Sequence, residues 1–261
     1  MKQAACDHTF VICAYKESEY LEECIQSLEN QTVKSKIVLV TSTPNAFIQA
    51  HAERHQIPVY SHSGKGIGNN WNFALSAVKT KYATIAHQDD LYCPTYLETC
   101  LRLFEQNPDA LIAFTDYDEY RNGQPIPKTR NLKIKKWMLT PIKYFKKSIF
   151  IRNRVLSLGS PICCPAVSYQ MKNLDGFRFS EEMTVSLDWE AWYRIANKRG
   201  TFAYCDKPLM YHRIHSASET TNAIGDHRRM TEDQLMFEKF WPKAVAKFIL
   251  KFYATSQQTN A

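Results

Sequence analysis

The stretch YATIAHQDDLYCP, residues 82–94, carries the first decision about the fold. Tyr82, Ala83, Thr84, Ile85 and Ala86 form a short, mostly apolar run, the pattern of a strand covered on both faces. Polarity changes abruptly at His87, Gln88, Asp89 and Asp90, and Pro94 stands where a helix could start. A buried strand therefore delivers an imidazole and two carboxylates at its C-terminal end. Open α/β sheets bind ligands at that end. Adjacent carboxylates repel one another unless a cation lies beside them. The competing reading is a helix N-cap supplied by Asp90, because Asp is favoured there.

Upstream, FVICAY (10–15) reads as a strand, and a helix follows from Glu17 and Ser18 with Tyr20, Leu21, Cys24, Ile25 and Leu28 on one face. KIVLVT (36–41) reads as a second strand, a shorter helix runs to about Gln56, and 57–61 reads as a third strand. This alternation predicts parallel strands joined by right-handed crossovers. Gly64, Gly66 and Gly68 then make a turn before a helix striped with Trp71, Ala74, Leu75 and Val78. The turn is neither a dinucleotide fingerprint nor a P-loop. It reads either as a plain loop or as a backbone cradle for pyrophosphate, with Lys65 and Asn69 beside it.

Downstream, 95–107 reads as a helix stopped by Pro108, 110–115 as a strand, and Asn122-Gly123 as a hairpin turn. SPICCPAVSY (160–169) reads as a buried strand and SLDWEAWYRIANKRG (186–200) as an amphipathic helix with Asp188 and Glu190 in its first turn. There the helix dipole alone is reason enough for acids. The expectation for 201–205 is an edge strand, and YHRIHS (211–216) puts two histidines three apart.

The chain has 261 residues, room for one large α/β domain, and 44% hydrophobic residues are enough for a sizeable core. Eight cysteines without any CxxC pair read as reduced cytoplasmic thiols rather than a disulfide or zinc framework. Met1 to His8 is polar, so no apolar leader is expected, and no run is long enough to span a bilayer. The net charge of +7 suits phosphate-bearing ligands or an anionic membrane. From Arg121 to Leu174 there is no acid, while Lys and Arg recur among Trp137, Tyr144, Phe145 and Phe150. That pattern reads as a solvated face or as a docking surface for an anionic acceptor or bilayer. Nucleic acid is not expected, since no binding motif accompanies the charge. The 241–253 tail, with Lys243, Lys247 and Lys251 in register, reads as an interfacial helix or as one packed on the domain.

Taken together, four segments resemble family 2 glycosyltransferases: FVICAYKESEYLEECIQSLENQT, GKGIGNNWNFALSAVKTKYATIAHQDDLYCP, SLDWEAWYRIANKRG and PLMYHRIHSAS, in that family's order and over roughly residues 8–220. The resemblance implies an α/β GT-A fold: a mostly parallel central sheet flanked by helices, with a C-terminal acceptor-side subregion. It implies a nucleotide-sugar-binding half over 1–120, an acceptor and catalytic-base half over 121–220, and a helical tail over 221–261. It further implies an inverting transfer from a nucleotide-sugar donor, a UDP-sugar first, to a glycan or lipid-linked acceptor at the inner membrane face, with Mn²⁺ or Mg²⁺ as cofactor. By the same resemblance Asp89 and His215 hold the metal, Asp188 is the general base, and Trp189, Glu190 and Arg194 lie on the acceptor side. Ala14, Tyr15, Glu17, Ser42, Lys65, Asn69, His87, Gln88 and Arg213 make up the donor side. The chain departs from the family pattern in two places: His87 replaces the first acid of the Asp-x-Asp motif, and Thr41, Ser42 and Thr43 replace the acids that usually end the second strand. The alternatives are a nucleotidyltransferase, whose basic Gly-rich signature FVICAYKESEY lacks, and a non-catalytic partner that has kept only the fold.

Overall fold

The computed structural model describes residues 6–215 and 227–258. The N-terminal half alternates as the sequence predicts: β1 (His8–Ala14), α1 (Leu21–Glu29), β2 (Lys36–Thr41), α2 (Ala46–His55), β3 (Val59–Ser61), α3 (Ile67–Ser76) and β4 (Tyr82–His87). All pairings among these four strands are parallel, in the order β3-β2-β1-β4. β1 is buried throughout. Its side chains alternate between two cores, as a period-two strand must. Val11 and Cys13 face one core with Val40, Ile85 and Trp71, and Phe10 and Ile12 face the other with Leu21, Ile25 and Leu28.

After β4 come β5 (Leu91–Tyr92), α4 (Tyr96–Gln106), β6 (Ala110–Arg121), β7 (Gln124–Pro125), α5 (Arg130–Tyr144) and α6 (Ile149–Leu156). β8 (Val167–Gln170), α7 (Leu187–Ala196), β9 (Thr201–Arg213), α8 (His227–Glu238) and α9 (Lys243–Gln258) complete the described chain. The sheet continues β4-β8-β6-β9-β5, and β8 runs antiparallel between β4 and β6. β6 and β9 are parallel, so the sheet stays mostly parallel across its width. Asn122 and Gly123 both have positive φ (51° and 79°), as a type I′ hairpin between β6 and β7 requires.

Several expectations need correction. The first helix begins at Leu21 rather than at Glu17, and Tyr15 has left the strand. The strand expected over 160–169 shrinks to Val167–Gln170 behind a 3₁₀ turn at Cys164–Ala166. Pro161 and Pro165 cannot donate to a ladder, which explains the loss. The expected edge strand at 201–205 is a thirteen-residue strand inside the sheet, between β6 and β5. Lys207-Pro208 does not end it, because the register with β6 shifts there, between Thr115 and Asp116, and pairing resumes. The tail packs on the domain: Ala246 and Leu250 of α9 are buried in the same core as Met236 and Phe237 of α8.

Two contacts join α3 to the segment ahead of α7. Asn72 accepts from the Phe179 amide (2.7 Å) and donates to the Phe179 carbonyl (3.1 Å). At Gly68 a β-carbon would lie 2.0 Å from the Ser180 carbonyl oxygen, so the two backbones touch. Gly68→Ala is therefore expected to separate them and to lower stability by about 1–3 kcal/mol, read as a fall in thermal midpoint. An unchanged midpoint would contradict this close approach.

Candidate active site

The C-terminal ends of β4 and β9 meet at the carboxylates. Asp90 is fully buried, and its Oδ1 accepts the Arg213 amide (2.9 Å) and the His212 Nδ1–H (3.0 Å). The N-cap reading of Asp90 fails, since α4 begins at Tyr96 with Thr95 at its N-cap. Asp89 is half-buried, and its Oδ2 lies 2.9 Å from His215 Nε2. Burial pushes Asp89 up, but the His215 hydrogen bond, aided by His87 and His212, outweighs it and the net shift is downward. Burial would likewise hold His212 down, but the charges of Asp90 and Asp89 carry it above the ordinary imidazole value.

His87, Asp89 and Asp90 each offer a ligand atom within 4.8 Å of the others. His87 Nε2 and Asp90 Oδ2 are buried without a hydrogen-bond partner. Carboxylate and imidazole donors with unused lone pairs fit a divalent ion such as Mn²⁺, which accepts both. His87 thus belongs to the candidate metal cluster as well as to the expected donor side. Its ring also stacks on Trp71 of α3, 5.3 Å between centroids.

The residues expected on the donor side are placed as follows. Gln88 closes a reciprocal pair with Tyr15: its Oε1 accepts the Tyr15 amide (2.9 Å) and its Nε2 donates to the Tyr15 carbonyl (3.0 Å). The ends of β1 and β4 are thereby held together, with Ala14 buried behind and Tyr15 and Glu17 exposed. Ser42 is half-buried at the end of β2, beside Thr43, whose Oγ1 accepts the Lys16 amide at 2.6 Å. Lys65 is exposed, and its carbonyl accepts from Asn69 (3.0 Å) at the start of α3. Arg213 is placed differently from a free donor contact. Its Nε donates to the Asp89 carbonyl (2.8 Å), its Nη2 pairs with Glu23 (2.6 Å), and its guanidinium lies over Tyr20 and Tyr120. It braces the loop that carries Asp89.

Asp188 opens α7, half-buried, with its Oδ1 accepting the Trp189 amide at 2.6 Å. Burial pushes its carboxyl up to about 6, against the Trp189 hydrogen bond and the positive charges of Lys135 and Arg229. A base that titrates near neutrality suits proton transfer. Of its expected acceptor-side neighbours, Trp189 is 1% exposed and donates to the Leu156 carbonyl (3.0 Å), so it is a core residue. Glu190 is buried and pairs with Arg194 at 2.7 Å.

Two features escaped the sequence reading. Lys135, counted there with the surface charges, turns inward and donates to Tyr117 Oη at 3.2 Å. Cys163 beside it is held well above the usual thiol value, by burial first and then by Asp90 and Asp188, against Lys135. The Cys163 thiol therefore senses the charges of both Asp90 and Asp188. The second feature is Glu232 of α8. It accepts the amides of Thr184 (2.9 Å), Val185 (2.8 Å) and Ser186 (2.8 Å), and Asp233 accepts Ser186 Oγ (2.7 Å). These are the orphan donors ahead of a helix, and a carboxylate there also meets the helix dipole.

Comparison with known proteins agrees with this geometry. The sequence profile described as glycosyl transferase family 2 matches residues 9–176, well over half of the chain. The chain belongs to glycosyl transferase family 2. An uncharacterized glycosyltransferase of Methanocaldococcus jannaschii is 24% identical over 216 residues, spanning 78% of this chain and 69% of the relative. Another, of Rickettsia typhi, is 21% identical over 261 residues, spanning 96% and 76%. Among solved structures, residues 1–349 of S. aureus TarS in complex with UDP-GlcNAc superpose with a TM-score of 0.65 at 14% identity, over 93% of this chain and 70% of that one. The mannosyltransferase PcManGT from Pyrobaculum calidifontis, in complex with GDP-Man and Mn²⁺, gives 0.64 at 15% identity, over 96% and 70%. The fold is GT-A, and the protein is a glycosyltransferase.

The raised Asp188 pKa has a signed consequence. Between the ordinary carboxylate range and about 6 the folded chain holds a proton that the unfolded chain has released. This group's contribution therefore falls as pH rises through that window and stays unfavourable above it. Asp188→Asn is expected to raise the thermal midpoint at pH 8 relative to wild type and to do less at pH 4. An equal effect at both pH values would contradict the raised value. Glu232→Ala takes the acceptor from the amides of Thr184, Val185 and Ser186, of which Ser186 is buried, and is expected to cost about 1–3 kcal/mol in denaturant unfolding; a neutral result would remove the clamp.

Proposed function

We propose that the enzyme is a metal-dependent, inverting family 2 glycosyltransferase. It moves a sugar from a nucleotide-sugar donor, a UDP-sugar first, to a hydroxyl of a glycan or lipid-linked acceptor. The setting proposed is surface polysaccharide or glycoconjugate synthesis at the cytoplasmic face of a membrane. The observation that supports it most is the His87, Asp89 and Asp90 cluster at the C-terminal end of β4, whose candidate ligand atoms lie within 4.8 Å of one another. Among the described residues no helix is long and apolar enough to cross a membrane.

Asp89 and His215, with His87 beside them, would hold the divalent cation. When bound, the cation offsets the negative charge that gathers on the departing diphosphate. The protein's own residues do the rest. The Tyr15–Gln88 pair fixes the rim on which the nucleotide rests, and the exposed Tyr15 ring and the backbone turn from Ala14 to Glu17 meet the base. Lys65 and Asn69, at the Gly-rich turn before α3, face the pyrophosphate. Asp188 takes the proton of the acceptor hydroxyl as its oxygen forms the new bond to the anomeric carbon. The bond from that carbon to the diphosphate oxygen breaks, and a nucleoside diphosphate leaves with both electrons. Attack and departure on opposite faces invert the anomeric centre. Glu232 and Asp233 hold the start of α7, so Asp188 meets the acceptor in a fixed orientation, where placement supplies much of the rate.

Asp188→Asn is expected to lower kcat by about 10²–10⁴-fold while leaving the thermal shift produced by UDP-sugar and Mn²⁺ nearly intact. Near-normal turnover would remove Asp188 from its role. In the wild type, kcat/KM should rise with pH through about 6, where Asp188 loses its proton, and a flat profile from pH 5 to 7 would contradict a base there. EDTA should abolish both donor-induced stabilisation and transfer. Full activity in EDTA, or stabilisation by no member of a UDP-, GDP- and dTDP-sugar panel, would overturn the donor and metal reading.

A further inference from the structure

Two helices carry a second apolar face that no other described residue covers. On α9, Ala246 and Leu250 point into the core and Ile249 and Tyr253 pack against it. The opposite side shows Val245, Phe248 and Phe252, exposed by 40%, 62% and 65%. These three stand at i, i+3 and i+7, one stripe of a helix, and the Phe248 and Phe252 rings touch edge-on at 5.0 Å. On α5, Leu132, Met138, Leu139 and Ile142 are buried. Its opposite side repeats the same spacing with Ile134, Trp137, Pro141 and Tyr144, of which Trp137 and Tyr144 are 73% and 71% exposed. Phe145 and Phe150, at the corner between α5 and α6, extend that stripe with 58% and 68% exposure.

The two stripes are physically joined. The Arg154 guanidinium lies over the Phe150 ring (5.7 Å) and over the Trp241 ring (4.8 Å). Trp241 in turn donates to the Ser157 carbonyl (2.8 Å) and stands four residues before Val245. Exposed aromatics on this scale mark a contact surface rather than random exposure.

Charge selects the partner. The stripes are bordered by exposed bases: Arg130 and Lys133 on α5, Arg154 on α6, and Lys247 and Lys251 on α9. Lys128, Lys136, Lys143 and Lys147 are held by Asp118, Asp116, Asp206 and Asp109, and no acid occurs from Arg121 to Leu174 beside Arg130, Lys133 and Arg154. Aromatic rings flanked by Lys and Arg, with no acid among them, match the headgroup region of an anionic bilayer, where rings enter the acyl boundary and bases meet the phosphates. We propose that the α5–α6 corner and the outer face of α9 form one docking surface for an anionic lipid bilayer. The surface lies outside the transfer site, so it stands or falls apart from the chemistry proposed above.

The test is flotation of the purified chain with phosphatidylcholine vesicles, with and without phosphatidylglycerol, at low and high salt. The double variants Trp137→Ser/Tyr144→Ser and Phe248→Ser/Phe252→Ser are run beside wild type. Wild type should float with anionic vesicles at low salt and be released by high salt, as screened charges require. Each double variant should lower the partition coefficient about tenfold. All of the replaced side chains are exposed, so circular dichroism and the donor-induced thermal shift should match wild type. Failure of wild type to float at low salt would overturn the proposal. So would flotation that neither pair reduces. A concentration-dependent dimer that either pair abolishes, without flotation, would assign the surface to a second copy of the chain. Loss of the donor-induced shift in wild type with flotation retained would count against the transferase reading and leave the docking surface standing.

Discussion

Asp90 has no solvent exposure, yet it is a carboxylate held by the His212 imidazole and the Arg213 amide. β4 and β9 have no hydrogen-bonded pairing with each other in the sheet, and this contact ties their C-terminal ends together across β8 and β6. A buried charge of this kind is costly unless paired, and removing one partner of such a pair typically costs about 3–5 kcal/mol. His212 offsets part of that cost by carrying a raised pKa. The pairing leaves Asp89 turned the other way, toward His215, and keeps one Asp90 oxygen without a hydrogen-bond partner, 3.8 Å from His87 Nδ1. Arg213 adds a second tie from its guanidinium to the Asp89 carbonyl and to Glu23 on α1. One buried ion pair therefore sets the position of the whole metal-side cluster.

The second half of the site is set from the other direction. Asn72 and Gly68 on α3 hold the 179–180 segment, and Glu232 on α8 holds 184–186. Asp188 follows at once, so its helix begins where both clamps end. The C-terminal helices are thus not an appendage: α8 orients α7, and α9 buries Ala246 and Leu250 in the core that α7 shares. The raised pKa of Asp188 follows from the same packing, since burial is its chief cause.

Much of this was legible in the sequence. The apolar run ahead of His87 placed the carboxylates at a strand end, and the alternation over residues 10–86 gave the parallel sheet. Other parts could not be read locally. Lys207-Pro208 resembles a strand terminator, and only pairing with β6 shows that β9 passes through it as an irregularity. Asp90 resembles an N-cap until His212, 122 residues away, is seen to approach it. Glu232 meets its amides 46 to 48 residues back along the chain, a contact that no periodicity signals. Lys135 was hidden by its neighbours, since only the helical phase of α5 separates an inward lysine from the outward ones.

The account turns on a cation gripped at Asp89 and a base facing it across the donor. An anomalous-scattering map from crystals grown with Mn²⁺ and the nucleotide-sugar that stabilises the protein addresses both at once. The account predicts a manganese peak coordinated by the Asp89 carboxylate and the donor diphosphate, with the Asp188 carboxylate directed at the anomeric carbon from the side away from the diphosphate. A peak bound elsewhere, or Asp188 turned out of the cleft while the donor is in place, would contradict it.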